Sequence, residues 1–165
     1  MLKSVVLLLS LAVIASAGPF SKNLKKFVST LESNNGRFEQ KINEVVNDYD
    51  NNPNGNKLVK KLEKIASTNV NLNIYTMLNA IESQIHLVSD PEVVQSLQTV
   101  YNFVEGIYNR NALVQSVATQ LSTDINDLSL GLNPSQDIAT NFGLLRNADR
   151  FSFYQISVIV AGLTL

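Results

Sequence analysis

Apolar residues recur at alternating steps of four and three along much of this chain, the spacing of helices with one buried face. The clearest examples are two consecutive segments with only a short polar stretch between them. Their apolar stripes consist of Ile74, Leu78, Ile81, Ile85 and Val88, and of Val93, Leu97, Val100, Val104 and Ile107. The spacing and the short connection predict a central antiparallel helix pair over 70–88 and 91–108.

The corner between these two helices carries its own start signal. Ser89 and Glu92 have the spacing of a capping box, in which each side chain binds a backbone N–H of the first turn. Pro91 suits that first turn, because its missing N–H would have no partner there anyway. The sequence therefore predicts that Ser89 caps the second helix.

Amphipathic patterns predict further helices on both sides of the central pair. A first helix covers Phe20–Tyr49, with a break or a kink at Asn34-Asn35-Gly36, because Asn-Gly is a turn signal. The asparagine-rich stretch 50–56 predicts an exposed loop, and a short helix follows over Lys57–Ala66.

The region after the central pair predicts two more helices. A connection at Asn109–Asn111 precedes a helix over Leu113–Leu128, which ends at Gly131. A further helix begins at Pro134 with Asn133 as its cap. The expected fold is therefore an all-α, single-domain bundle of about five to seven helices.

The N-terminus has the three parts of a secretory signal peptide. Lys3 supplies a positive charge, Val5–Ile14 is a nearly unbroken apolar run, and Ala15-Ser16-Ala17 has the small-residue pattern of a cleavage site. The run is short for a membrane anchor, which needs about 20 apolar residues. We expect residues 1–17 to be a leader, residues 18–165 to be the domain, and the protein to be secreted and extracellular.

The composition argues against an enzyme. The chain has no cysteine and a single histidine, His86, so it lacks a thiol nucleophile, a thiolate metal site and a zinc-binding His pair. It also lacks a glycine-rich phosphate loop and the Gly-x-Ser-x-Gly pattern of a serine hydrolase. We therefore expect no catalytic residue, no metal and no cofactor.

Charge is distributed unevenly along the chain. Nine basic and six acidic residues lie between Gly18 and Lys64, against three basic and eight acidic residues from Ile65 onward. A second region with so few charged residues and a slight acidic excess argues against nucleic-acid binding, which needs clustered Lys and Arg.

The basic residues include a stripe at Lys57, Lys60, Lys61 and Lys64. The stripe is either an ordinary solvent face or a surface for anionic lipid head groups or an acidic partner.

The C-terminal tail, Phe151–Leu165, is apolar and uncharged. Three interpretations of the tail stay open. It is a buried last helix, a removable lipid-anchor signal, or part of a ligand cavity that it lines together with the apolar stripes of the two central helices. In the third reading the apolar lining consists of Ile74, Leu78, Ile81, Ile85, Leu97, Val100, Val104, Phe151, Phe153 and Ile156.

Three functions fit these features. The favoured one is a secreted, non-enzymatic carrier that binds a lipid or another apolar small molecule between its helices. The alternatives are a protein-interaction or effector module acting through a helix face or the lysine stripe, and a protein that binds a membrane surface. The four-three spacing serves self-association as well as packing within one chain, so it leaves the oligomeric state open.

Overall fold

The structure is a computed structural model that describes residues 19–52, 56–133 and 137–148. This part of the chain contains helices and no strand, so the predicted all-α class is confirmed. We number its helices α1 (Pro19–Asn51), α2 (Asn56–Ser67), α3 (Leu72–Leu87), α4 (Pro91–Ser129) and α5 (residues 138–148). The predicted leader, 1–17, and the tail with Phe151, Phe153 and Ile156 lie outside the described residues.

The break considered at Asn34-Asn35-Gly36 and the connection predicted at Asn109–Asn111 are wrong, while the alternative of a kink at the first site stays a prediction. Helix α1 continues through Asn34-Asn35-Gly36, and α4 continues through Asn109–Asn111, so the second central helix extends to Ser129 instead of ending at 108. The physical reason is that polar residues from the two sites bind each other: the Arg110 guanidinium donates hydrogen bonds to the side chains of Asn35 and Glu39. Polar side chains satisfied in this way have no need of a turn.

The capping residues of two helices differ from the predicted ones. Helix α4 begins at Pro91 as expected, but its cap is Asp90 and not Ser89, because the Asp90 Oδ1 accepts a hydrogen bond from the Glu92 N–H at 2.9 Å. At α5 the cap is Asp137 and not Asn133, since its Oδ1 accepts from the Ala139 N–H at 3.0 Å. An aspartate directly before a helix competes well with any nearby serine or asparagine.

The predicted glycine stop after α4 is confirmed. Gly131 has φ of 76°, a left-handed conformation that residues with a Cβ rarely adopt. The Gly131 N–H donates to the Leu128 carbonyl at 3.1 Å and the Leu132 N–H donates to the Asp127 carbonyl at 2.9 Å. These two bonds form a Schellman motif, which satisfies the last carbonyls of the helix.

The described residues fall into two compact units. The first unit comprises 19–34 and 71–109. Helices α3 and α4 form an antiparallel pair in it, as predicted, because the ring of Tyr75 lies against that of Tyr108 while three residues join the other ends. Its core consists of Leu24, Leu31, Ile74, Leu78, Ile81, Val93, Leu97, Val100, Phe103, Val104 and Ile107.

The second unit comprises 35–52, 56–70, 110–133 and 137–148. Its core consists of Phe38, Ile42, Val45, Val46, Leu58, Leu62, Ile65, Val114, Val117, Ala118, Leu121, Ile125, Phe142, Leu145 and Ala148. The rings of Tyr49 and Phe142 stack in it with centroids 3.7 Å apart. Each unit buries apolar area on more than one helix, which is the dominant stabilising contribution in a chain without disulfides. The predicted domain limits, 18–165, stay a prediction.

Candidate functional site

The seven described residues of the predicted apolar lining all belong to the core region of the first unit. Ile74, Leu78, Ile81, Leu97, Val100 and Val104 are buried in its core, and Ile85 is half-buried against them. Their contacts with one another are those of an ordinary hydrophobic core. Ligand binding at these residues therefore stays a prediction.

A half-open groove of about 660 Å³ lies between α2 and the end of α4, in the second unit. Five of its lining residues are polar or charged and three are apolar. The lining residues are Asn56, Val59, Lys60 and Glu63 from α2, and Ile125, Asn126, Leu128 and Ser129 from α4.

Helix α2 can line this groove because it has two distinct faces. Leu58, Leu62 and Ile65 point into the core of the second unit and are buried. Val59 and Glu63 lie one position further along the helix, about 100° around its axis, and so face the groove with Lys60. The core face holds the helix in place. On the neighbouring face Val59 packs partly against the same core, whereas Lys60 and Glu63 are exposed.

Helix α4 contributes the apolar floor. Ile125 is buried at its base, whereas Leu128, one turn later, keeps 47% of its surface exposed. Leu130 and Leu132 follow directly after the helix and are exposed as well. An exposed leucine at the wall of a groove is apolar surface that a ligand could remove from water.

The rim of the groove carries two opposite charges. Lys60 and Glu63 are both exposed and lie three residues apart on α2, so their Cβ atoms are about 5–6 Å apart. Within the described part of the chain neither is joined to another residue by an ion pair. The ammonium group of Lys60 and the carboxylate of Glu63 are therefore available to a ligand.

The predicted lysine stripe divides in the structure. Lys57, Lys60 and Lys64 are exposed, while the Lys61 Nζ donates to the carboxylate of Asp48 on α1. That hydrogen bond raises the pKa of Lys61, outweighing the partial desolvation that lowers it. Lys61 thus joins α2 to α1 through an ion pair, while its side chain keeps 39% of its surface exposed.

The described residues give little support to metal binding or to a membrane-spanning role. No three side chains among the His, Asp and Glu residues of 19–52, 56–133 and 137–148 are grouped closely enough to hold a metal ion. None of the helices α1 to α5 has the length and apolar character needed to cross a membrane.

Sequence reasoning named Lys60 but missed the apolar half of this groove. Val59 was the available signal, since it is an apolar residue that falls outside the stripe of Leu58, Leu62 and Ile65. Leu128 lies at the end of a predicted amphipathic helix, and the structure leaves nearly half of its surface exposed. Only the packing of α2 beside α4 shows that these two residues line one groove.

No protein-family model, no curated protein and no solved structure matches this chain. The function of the groove must therefore be inferred from its own residues.

Proposed function

We propose that this chain is a secreted, non-enzymatic helical protein that binds a lipid or another apolar small molecule in the groove between α2 and α4. The observation that supports this proposal is a groove of about 660 Å³ that combines Val59, Ile125 and Leu128 with a charged rim. Ligand sites commonly have volumes of about 300–1,000 Å³ and an apolar lining with few polar groups. The groove has that size, and three of its eight lining residues are apolar while five are polar or charged.

The shape of the groove favours a slender ligand. Because the groove is half-open, an alkyl chain can lie along Leu128 while the polar end stays in water. Each methylene that leaves water contributes about 0.8 kcal/mol to binding. Shortening such a ligand by two methylenes should weaken its binding by up to about 15-fold, the value for complete burial.

The lysine stripe supports protein interaction as a second candidate function. Lys57, Lys60 and Lys64 are exposed along α2 and could meet an acidic surface of a partner. Binding of a membrane surface has less support, because the apolar face of α2 is buried and cannot insert into lipid. Attraction between lysines and anionic lipids, about 1 kcal/mol per lysine, would have to suffice.

Native mass spectrometry of the protein secreted from its native kind of cell tests the carrier directly. We expect a native mass that exceeds the denatured mass by on the order of a few hundred daltons, the size of one single-chain lipid. The bound species can then be identified from its own mass. Equal native and denatured masses would count against a carrier that is loaded in the cell.

A variant pair then locates the site. Leu128→Ser removes apolar surface from the groove, whereas Leu113→Ser makes the same change on the same helix at similar exposure, 49% against 47%, away from the groove. We expect dodecylphosphocholine, titrated below its critical micelle concentration, to bind Leu128→Ser about 5- to 20-fold more weakly and Leu113→Ser unchanged. Equal effects of the two substitutions, or no binding by the parent chain, would overturn the proposal.

A further inference from the structure

The rim of the groove is electrically balanced, with one lysine and one glutamate on the same side of α2. Lys60 and Glu63 are the charged residues of the lining, and the other lining residues are neutral. The lysine precedes the glutamate by three positions, an order that supports a pair on a helix less well than the reverse order does. Since neither charge has an ion-pair partner in the described residues, a ligand can meet both.

We infer that the groove selects a single-chain amphiphile with a zwitterionic head group, in which a phosphate ester carries an ammonium. This inference rests on the proposed function and names the class of ligand for the same groove. The phosphate lies at Lys60, the ammonium at Glu63, and the alkyl chain along Val59 and Leu128.

Charge complementarity argues against the other head groups. An anionic head group, such as a fatty-acid carboxylate, gains from Lys60 but is repelled by Glu63. A cationic head group gains from Glu63 and is repelled by Lys60. An uncharged sugar head group meets two charges without neutralising either. A zwitterion gains from both residues, and its two charges are separated by a few bonds, which matches neighbouring positions on one turn of α2.

The long-range attraction of anions by nearby lysines must be distinguished from direct contacts with the charges at the rim. Lys57 and Lys64 lie one turn to either side of Lys60 and attract anions over a distance. At about 0.15 M salt the screening length is about 8 Å, so their contribution is weakened while direct contacts at the rim persist. We therefore compare head groups at this ionic strength, with the full secreted chain.

The test uses four dodecyl ligands below their critical micelle concentrations: dodecylphosphocholine, laurate, dodecyltrimethylammonium and dodecyl maltoside. We expect dodecylphosphocholine to bind about 3- to 10-fold more tightly than each of the others, since an exposed charge contact changes affinity by about two- to fivefold. Four equal affinities would leave the proposed carrier intact and overturn the zwitterion inference. Absence of binding by all four would overturn both.

Two substitutions at the rim add a signature that unfolding could not imitate. Lys60→Gln should weaken the binding of dodecylphosphocholine by about two- to fivefold and strengthen the binding of dodecyltrimethylammonium. Lys57→Gln makes the same change in net charge and should change neither affinity. Glu63→Gln should weaken the binding of dodecylphosphocholine and strengthen the binding of laurate, and Glu82→Gln on α3 is its control. Opposite changes for two ligands in one variant support the inference. Tighter binding of laurate than of dodecylphosphocholine to the parent chain, or equal effects of Lys60→Gln and Lys57→Gln, would overturn it.

Discussion

The guanidinium of Arg110 and the carboxylate of Glu39 form an ion pair, with Nη1 and Oε1 3.3 Å apart. Arg110 is 1% exposed, so its charge is held almost entirely out of water. Asn35 completes the cluster, because it accepts a hydrogen bond from Arg110 and donates one to Glu39 at 3.1 Å. The side chain of Arg110 also lies over the ring of Phe38, 5.9 Å from its centroid. This cluster couples the middle of α4 to the middle of α1.

Removing the carboxylate should therefore destabilise the fold. We expect Glu39→Gln to lower the free energy of unfolding by about 1–3 kcal/mol, because the buried Arg110 loses an opposite charge that helps to offset its desolvation. Urea unfolding followed by circular dichroism measures the change. Arg110→Met in the Glu39→Gln background should restore part of the loss, since an apolar side chain of similar length needs no counter-charge. A double variant no more stable than Glu39→Gln would contradict this explanation.

Two glycines should respond in opposite directions to alanine. Gly36 lies inside α1, and a Cβ there would have no atom within 4 Å, so Gly36→Ala should stabilise the protein by about 0.5–1 kcal/mol. Gly131 has equally open surroundings but a φ of 76°, so Gly131→Ala should destabilise it by about 1–2 kcal/mol. Thermal unfolding of the two variants provides the measurement. The same sign for both would mean that backbone conformation is not the deciding factor.

The side-chain amide of Gln115 should not be replaceable by a group that only accepts hydrogen bonds. Its Nε2 donates to the carbonyls of Ile65, Ala66 and Thr68 at the C-terminal end of α2. Gln115→Met loses these bonds and should cost about 1 kcal/mol. Gln115→Glu brings a carboxylate to a place lined by carbonyl oxygens at the negative end of a helix, and should cost about 2–3 kcal/mol.

The comparison of the two Gln115 variants is made by urea unfolding at about pH 7. At a pH of about 4 the glutamate variant takes up a proton and becomes a donor again, so its deficit relative to Gln115→Met should shrink. A glutamate variant as stable as the parent at neutral pH would show that these carbonyls do not need the amide donor.

Asp137 should make α5 sensitive to acid. The hydrogen bond from the Thr140 hydroxyl, followed by that from the Ala139 N–H, holds the pKa of Asp137 below its ordinary 3.8. A carboxyl whose pKa is lowered by folding stabilises the fold above its unfolded pKa, and this stabilisation is lost as the pH falls through the folded pKa.

We therefore expect Asp137→Ala to unfold at a lower temperature than the parent at about pH 7, and the difference to narrow below the ordinary pKa of 3.8. Asp137→Asn is the control, because asparagine caps a helix without titrating. Calorimetry at several pH values gives the three melting temperatures. A difference between parent and Asp137→Ala that does not change with pH would assign the effect to helix propensity.

The apolar spacing was enough to predict the helices and most of their buried faces. Leu58, Leu62 and Ile65 on α2 and Leu97, Val100 and Val104 on α4 are buried as their steps of three and four indicated. This succeeds because the helical period alone sets which residues share a face, and an apolar face must be covered. The stop at Gly131 followed from local chemistry in the same way.

Tertiary contacts decided whether polar residues interrupt a helix. Asn34-Asn35-Gly36 and Asn109–Asn111 have the composition of turns, but Arg110 binds Asn35 and Glu39, and both helices continue. Residues 75 positions apart in the chain make this contact, so no local pattern contains it.

The groove depends on tertiary structure for the same reason. The sequence determined that α2 has a core face, a set of lysines and an apolar residue, Val59, outside the core stripe. Only the folded chain brings Val59 and Leu128 into the lining of one groove. It also joins Lys61 to Asp48 by a hydrogen bond, while Lys60 stays exposed. Periodicity specifies which residues of a helix lie together, but which surfaces of different helices meet is decided by packing across the chain.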